Sequence, residues 1–242
     1  MTEYVVPAVV GGVALLASAL AAVAGFGGAV VMLPVLVWAF GVRDAVPILT
    51  VMQLVGNLSR VGFNRREVVW PVVGWFALGA VPAAVLGGIV FAQAPADLLR
   101  RALGLFLLLT VAYRHTARGR RARLRLRGFL GLGAASGFLS AVVGSVGPLA
   151  APFFLSYGLV KGAYIGTEAL TAVVMHVVKL GVYSGYSLLS PATVATGLAS
   201  GTVMILGTYL GKRLLDRVPE RVFQILVEVV IALSGLQFLL FG

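Results

Sequence analysis

A chain of 242 residues that is 60% hydrophobic and 11% charged, with a mean hydropathy of +1.03, has no composition left for a water-facing surface, because a soluble domain carries about 25% charged residues. The formal charge of +11 and a pI near 10.9 would suggest nucleic acid in a soluble protein; here the basic residues sit mainly in loops between apolar runs, where they fix topology, so no nucleic-acid partner is expected. The absence of cysteine excludes disulfides, iron–sulfur ligation and thiol catalysis.

Lipid as solvent leaves only helices and closed barrels. Barrel strands alternate in polarity with about ten residues per crossing, whereas the apolar runs here are long and continuous, so the expected fold class is all-α and polytopic. In chain order the runs are 4–24, 45–62, 68–92, 102–113 (short, with a possible extension back to 98), 128–143, 163–186, 192–210 and 222–241. A helix needs about 20 apolar residues to span. Glu3 and no basic residue precede the first run, so it reads as a retained segment rather than a cleaved signal. Two further pieces, 29–40 and 149–157, are too short to span. Each follows a glycine-rich break: Gly25-Phe26-Gly27-Gly28 before the first, and Gly144-Ser145-Val146-Gly147-Pro148 before the second.

That recurrence defines an internal repeat. Gly25 and Gly28 match Gly144 and Gly147 at one offset, and Gly41 and Thr50 match Gly158 and Thr167 at an offset two residues shorter. Both halves read as full helix, glycine break, half helix, polar-containing helix and two more helices, with residues 1–121 as the first repeat and 122–242 as the second. With the N-terminus outside, the inside loops 63–67, 114–127, 158–162 and 211–221 hold 14 Lys and Arg, and the outside loops only Arg43, Arg100 and Arg101. This bias makes the second repeat start on the opposite side from the first, so the repeat is inverted. Both termini then lie outside a multi-pass cell (inner) membrane. The stretch 114–127 becomes a basic cytoplasmic linker, read as an anchor against anionic lipid. Weak inverted repeats of this kind mark transporter architecture.

Glycine permits positive φ and close chain approach. A half helix that starts at such a break turns its free N–H groups and positive dipole end into the membrane interior. Two of them, one per half, would converge on an anion, which makes Gly25, Gly27, Gly28, Gly144, Ser145 and Gly147 candidate ligands. In the helix after the first break Thr50, Gln53, Asn57, Arg60 and Asn64 share a stripe; in the helix after the second, Glu168, Thr171, Met175 and Lys179 do so, with His176 at the edge. Intramembrane charges face a cavity or a partner. Arg60, near the inner end, is expected to snorkel to water. Lys179 and His176, three residues apart, are expected to share one anion or to pair with Glu168 or Glu228, although Glu168 and Lys179 stand about 16 Å apart along their own helix and do not pair there. Gln53, Asn57, Thr167, Thr171, His176 and Lys179 complete the substrate-binding set. No metal and no cofactor is expected, and the sequence is compatible with a homodimer.

The pattern Gly25-Phe26-Gly27-Gly28, Pro34, Gly41, Ala45 and Thr50, repeated as Gly144 to Gly147, Pro152, Gly158, Ala163 and Thr167, resembles the TauE/SafE family, and the resemblance spans essentially the whole chain. It implies an exporter of sulfite, sulfoacetate or another organosulfonate rather than an enzyme. With no nucleotide-binding motif visible, the drive would be an ion or substrate gradient, and the mechanism alternating access. Two other readings stay open on the residues: an anion channel, and an intramembrane serine hydrolase with Ser145 as nucleophile and His176 as base.

Overall fold

The computed structural model describes residues 9–15, 17–18, 28–115, 124–214, 229, 232–233 and 235–240. Gly25, Gly27 and Glu228, most of the first and last apolar runs, and the centre of the basic linker lie outside the described residues. Among the described residues the protein is helical and has no strands. Seven helices can be bounded: α1 (Gly28–Asn64), α2 (Trp70–Gln93), α3 (Ala96–His115), α4 (Gly128–Val143), α5 (Gly147–Ser156), α6 (Lys161–Gly185) and α7 (Pro191–Leu214). Three of them, α1, α2 and α6, are long and apolar enough to cross a membrane. The polytopic all-α fold is therefore as the composition demands.

The half helix and the full helix anticipated at 29–40 and 45–62 join as α1, interrupted by a single non-helical residue, Gly41, at φ 75° and ψ 162°. Pro47 contributes to the interruption, because it removes the N–H that would close on residue 43. The second half has the same device. Gly144 ends α4 at φ 87°, its N–H donating to the Ser140 carbonyl at 2.9 Å. The ten-residue α5 follows, and Gly158 turns at φ 102° before α6 begins. Gly41 and Gly158, paired by the sequence repeat, thus both hold the left-handed backbone that favours glycine. Helix α3 starts earlier than its apolar run, at Ala96, with Asp97 in its first turn where a carboxylate meets the positive dipole end.

In lipid, packing rather than water exclusion joins helices, and small residues let backbones approach. The broadest interface joins α2 to α4, and it is built this way. A Cβ at Gly79 would strike the Leu130 carbonyl, one at Gly133 the Phe76 carbonyl, and one at Gly137 the Ala80 carbonyl. On the opposite face of α2 Leu78 and Leu86 are 65% and 61% exposed, a lipid-facing arrangement. The same close contact recurs elsewhere. Gly197 and Gly201 of α7 lie against Val51 and Val55 of α1, Gly88 of α2 lies against Val182 of α6, and Gly207 of α7 meets the backbone of Leu15. Helices α1 and α6 pack against each other along the centre.

Arg43 ties the α1 interruption to the end of α2. Its Nη1 donates to the Ala92 carbonyl at 2.8 Å and its Nη2 to the Ala94 carbonyl. A cation on the last carbonyls of a helix also suits the dipole. Replacing it, Arg43→Gln, is expected to destabilise the fold by about 2 kcal/mol, the scale of charged hydrogen bonds, read as a lower Tm in detergent with no change in anion affinity.

Candidate functional site

The polar stripe of α1 and that of α6 face one another across a cleft with about 50 Å³ of interior space, room for roughly three to five waters. Its wall is built from both halves. From α1 come Gly28 and Ala29 at the first described turn, then Gln53, Asn57 and Arg60 farther along. From the second half come Ser140 at the end of α4, Ser145, Val146 and Gly147 of the break, and Glu168, Thr171, Met175 and His176 of α6. Phe76 and Phe154 supply an apolar wall, packed with ring centroids 5.9 Å apart and continued by Phe129 at 5.2 Å from Phe154. The first described turn of α1 and the N-terminus of α5 therefore meet at one place.

The amides available at the α5 end are few. Leu149 and Ala150 donate to the Val146 carbonyl at 3.0 and 3.1 Å, and Pro148 has no N–H. Gly147 is left as the amide of that turn with no backbone acceptor among the described residues. Two side-chain nitrogens of the wall are also without a hydrogen-bond partner among the described residues: Gln53 Nε2, a donor, and His176 Nδ1, both buried. Unpaired buried polar atoms cost free energy unless a polar occupant meets them.

Of the twelve anticipated binding residues, the structure brings Gly28, Gln53, Asn57, Ser145, Gly147, Thr171 and His176 into this wall. Gly25 and Gly27 lie outside the described residues. Gly144, Thr167 and Lys179 are placed one layer back. The Thr167 hydroxyl accepts from the Val69 N–H at 2.9 Å, where α2 begins. The Lys179 ammonium, fully buried, donates to the Ser140 carbonyl at 3.2 Å, the Ser140 hydroxyl at 3.0 Å and the Gly144 carbonyl at 3.3 Å. It clamps the end of α4, and it does not share the cleft with His176. Thr171 lines the cleft while its hydroxyl bonds the Glu168 carbonyl of its own helix at 2.7 Å.

Arg60 does not snorkel. Its Nη2 forms an ion pair with Glu168 Oε2 at 2.9 Å, the side chains only 12% and 11% exposed, and its Nη1 donates to Asn57 Oδ1 at 3.0 Å. The pair bridges α1 and α6, and so the two halves. Both residues stand on the stripes read from the sequence, but only the packing of α1 on α6 shows that they meet, so that Glu168 pairs with Arg60. Ser140, Phe76 and Phe154 lie on helices without a polar stripe and had no such signal. Ser145 and His176 both line the wall, and among the described residues no hydrogen bond joins them. Among the described residues no group of three or more His, Cys, Asp or Glu could hold a metal ion.

A family model described as "Sulfite exporter TauE/SafE" matches residues 10–238, nearly the whole chain. No curated protein and no solved structure matches it.

Proposed function

The chain belongs to the TauE/SafE sulfite exporter family, a family of membrane transporters, and from that premise we propose that it carries sulfite or a small organosulfonate across the inner membrane by alternating access. The observation that carries this reading is the cleft: the first described turn of α1 and the N-terminus of α5 open onto it beside the buried nitrogens Gln53 Nε2 and His176 Nδ1, which have no hydrogen-bond partner among the described residues. Helix N-termini direct N–H groups and positive dipole toward an anion, and in transporters such half helices typically hold anionic groups near the midplane. Neutral donors suit a carrier, because they bind a small anion without the deep trap that a set of lysines would form.

The two halves, 1–121 and 122–242, act as inverted repeats that rock about the central α1–α6 contact. Supporting this are the left-handed turns at Gly41 and Gly158 and the interchange of contacts: α7 on α1 answers α2 on α6, and the α2–α4 glycine contact answers Gly207 against Leu15. Both termini are placed outside by the loop charges.

Purified protein in proteoliposomes is expected to move sulfite or a sulfonate such as sulfoacetate down its gradient, saturably. Gln53→Ala should raise the half-saturating concentration on the order of tenfold, the value of about one hydrogen bond to a charged group. Flux at the background rate of protein-free vesicles for sulfite, sulfoacetate, other sulfonates, thiosulfate and sulfate alike would remove the proposal.

A further inference from the structure

Among the described residues of the cleft wall the one guanidinium, Arg60, is paired with the one carboxylate, Glu168. From this we infer that Glu168 is an internal stand-in for the transported anion, and that substrate binds by taking Arg60 away from it. The inference rests on the transport reading above and adds a charged ligand and a coupling device to the same site.

The geometry supplies each part. Arg60 Nη1 is held by Asn57 Oδ1 at 3.0 Å, so one edge of the guanidinium is fixed on α1, while Nη2 contacts Glu168 Oε2 at 2.9 Å. All three side chains line the cleft, as does Gln53, one turn from Asn57 on the same helix. A sulfite or sulfonate group can offer two of its oxygens to a guanidinium fork much as a carboxylate does. In a low-dielectric interior an isolated Arg60 would be costly, and Glu168 supplies it with a counter-charge. An entering anion supplies the counter-charge itself, and two anions at one guanidinium repel. Glu168 is therefore displaced, and the bond between α1 and α6 is broken. Since the two helices belong to different halves, occupancy of the site and contact between the halves become linked, which is the differential interaction that a ligand-driven change of state requires.

The expected signature is a carboxylate that weakens binding although it sits in the binding site. Isosteric Glu168→Gln keeps the shape and removes the competing charge, so sulfite should bind on the order of tenfold tighter or more, the lower range of measured charge-pair couplings. The apo protein should melt at a lower temperature, with a larger sulfite-induced rise. Arg60→Gln should abolish most of the sulfite-induced rise, and the double variant Arg60→Gln/Glu168→Gln should bind no more tightly than Arg60→Gln alone. Should Glu168→Gln fail to fold, Glu168→Asp, which withdraws the carboxylate by one methylene, should give a smaller tightening of the same sign. Binding to Glu168→Gln or Glu168→Asp that is equal to or weaker than wild type overturns the stand-in role while leaving transport intact. Absence of any sulfite or sulfonate response in the wild-type protein instead sinks the transport reading.

Discussion

A leucine at Gly133 is expected to leave no monodisperse protein after extraction from the membrane. At this position a Cβ would coincide with the Phe76 carbonyl and come within 3.1 Å of its Cα; the obstruction is backbone, which cannot rotate away. The same holds on both sides of the contact, since a Cβ at Gly79 would meet the Leu130 carbonyl and the Ala134 N at 2.9 Å. Helices α2 and α4 would have to separate, carrying Phe76 and Phe129 out of the aromatic wall that backs the cleft. Ordinary overpacking costs about 1–3 kcal/mol, but loss of the broadest helix contact places this change in the exceptional class above about 4 kcal/mol. Gly131→Leu, two residues earlier at a site with nothing within 4 Å of its Cβ, is the matched control and should behave as wild type in size-exclusion chromatography. Equal recovery of the two variants would contradict the packing described.

Lys179→Met is expected to abolish transport through the second break rather than through direct loss of an anion ligand. Its ammonium holds Ser140 and Gly144 through three hydrogen bonds in a fully buried position, immediately before Ser145 and Gly147 enter the cleft wall. Removing the donor leaves the Ser140 hydroxyl and the Gly144 carbonyl short of a partner, at about 1–3 kcal/mol for each unsatisfied buried group, and it does so at the residue whose φ of 87° turns the chain. Sulfite flux should fall on the order of a hundredfold or more, since about 1.4 kcal/mol is tenfold in any equilibrium that positions the site, and Tm should drop with it. Lys179→Arg is not expected to restore flux, as a planar fork cannot replace a compact three-donor ammonium in the same space. Val177→Met, on an exposed position of the same helix, should leave flux and Tm unchanged; an equal loss there would show a general defect of α6.

What could be read from the chain depends on how local the cause is. The second break was legible because a positive φ is a property of single residues, and Gly144 and Gly158 adopt it where the glycine pattern says they should. Helix α4 has the bounds of its apolar run, residues 128–143, because nothing charged blurs them. Helix α3 was legible only in part: Asp97, Arg100 and Arg101 hid its first two turns from a hydropathy reading, although Asp97 suits a helix start. Periodicity correctly put Gln53, Asn57, Arg60 and Glu168 on polar stripes. It could not say that the Arg60 stripe faces the Glu168 stripe, since a contact 108 positions apart in the chain is decided by helix packing. The same limit separated Lys179 from His176. Three residues on a helix leave two side chains only about 60° apart, so the sequence puts them on one face, and it is the packing of α4 on α6 that draws Lys179 to Ser140 and Gly144 while His176 lines the cleft.

The central claim, that two half-helix ends converge to hold an anion, can be tested at the amides themselves. With ¹⁵N-glycine-labelled protein in detergent, the resonances of Gly28 and Gly147, assigned by single substitution, are followed as sulfite or the transported sulfonate is added. Both are expected to shift saturably with one common Kd, while Gly131 on the outer face of α4 stays fixed. Saturable transport with neither resonance moving would contradict the account.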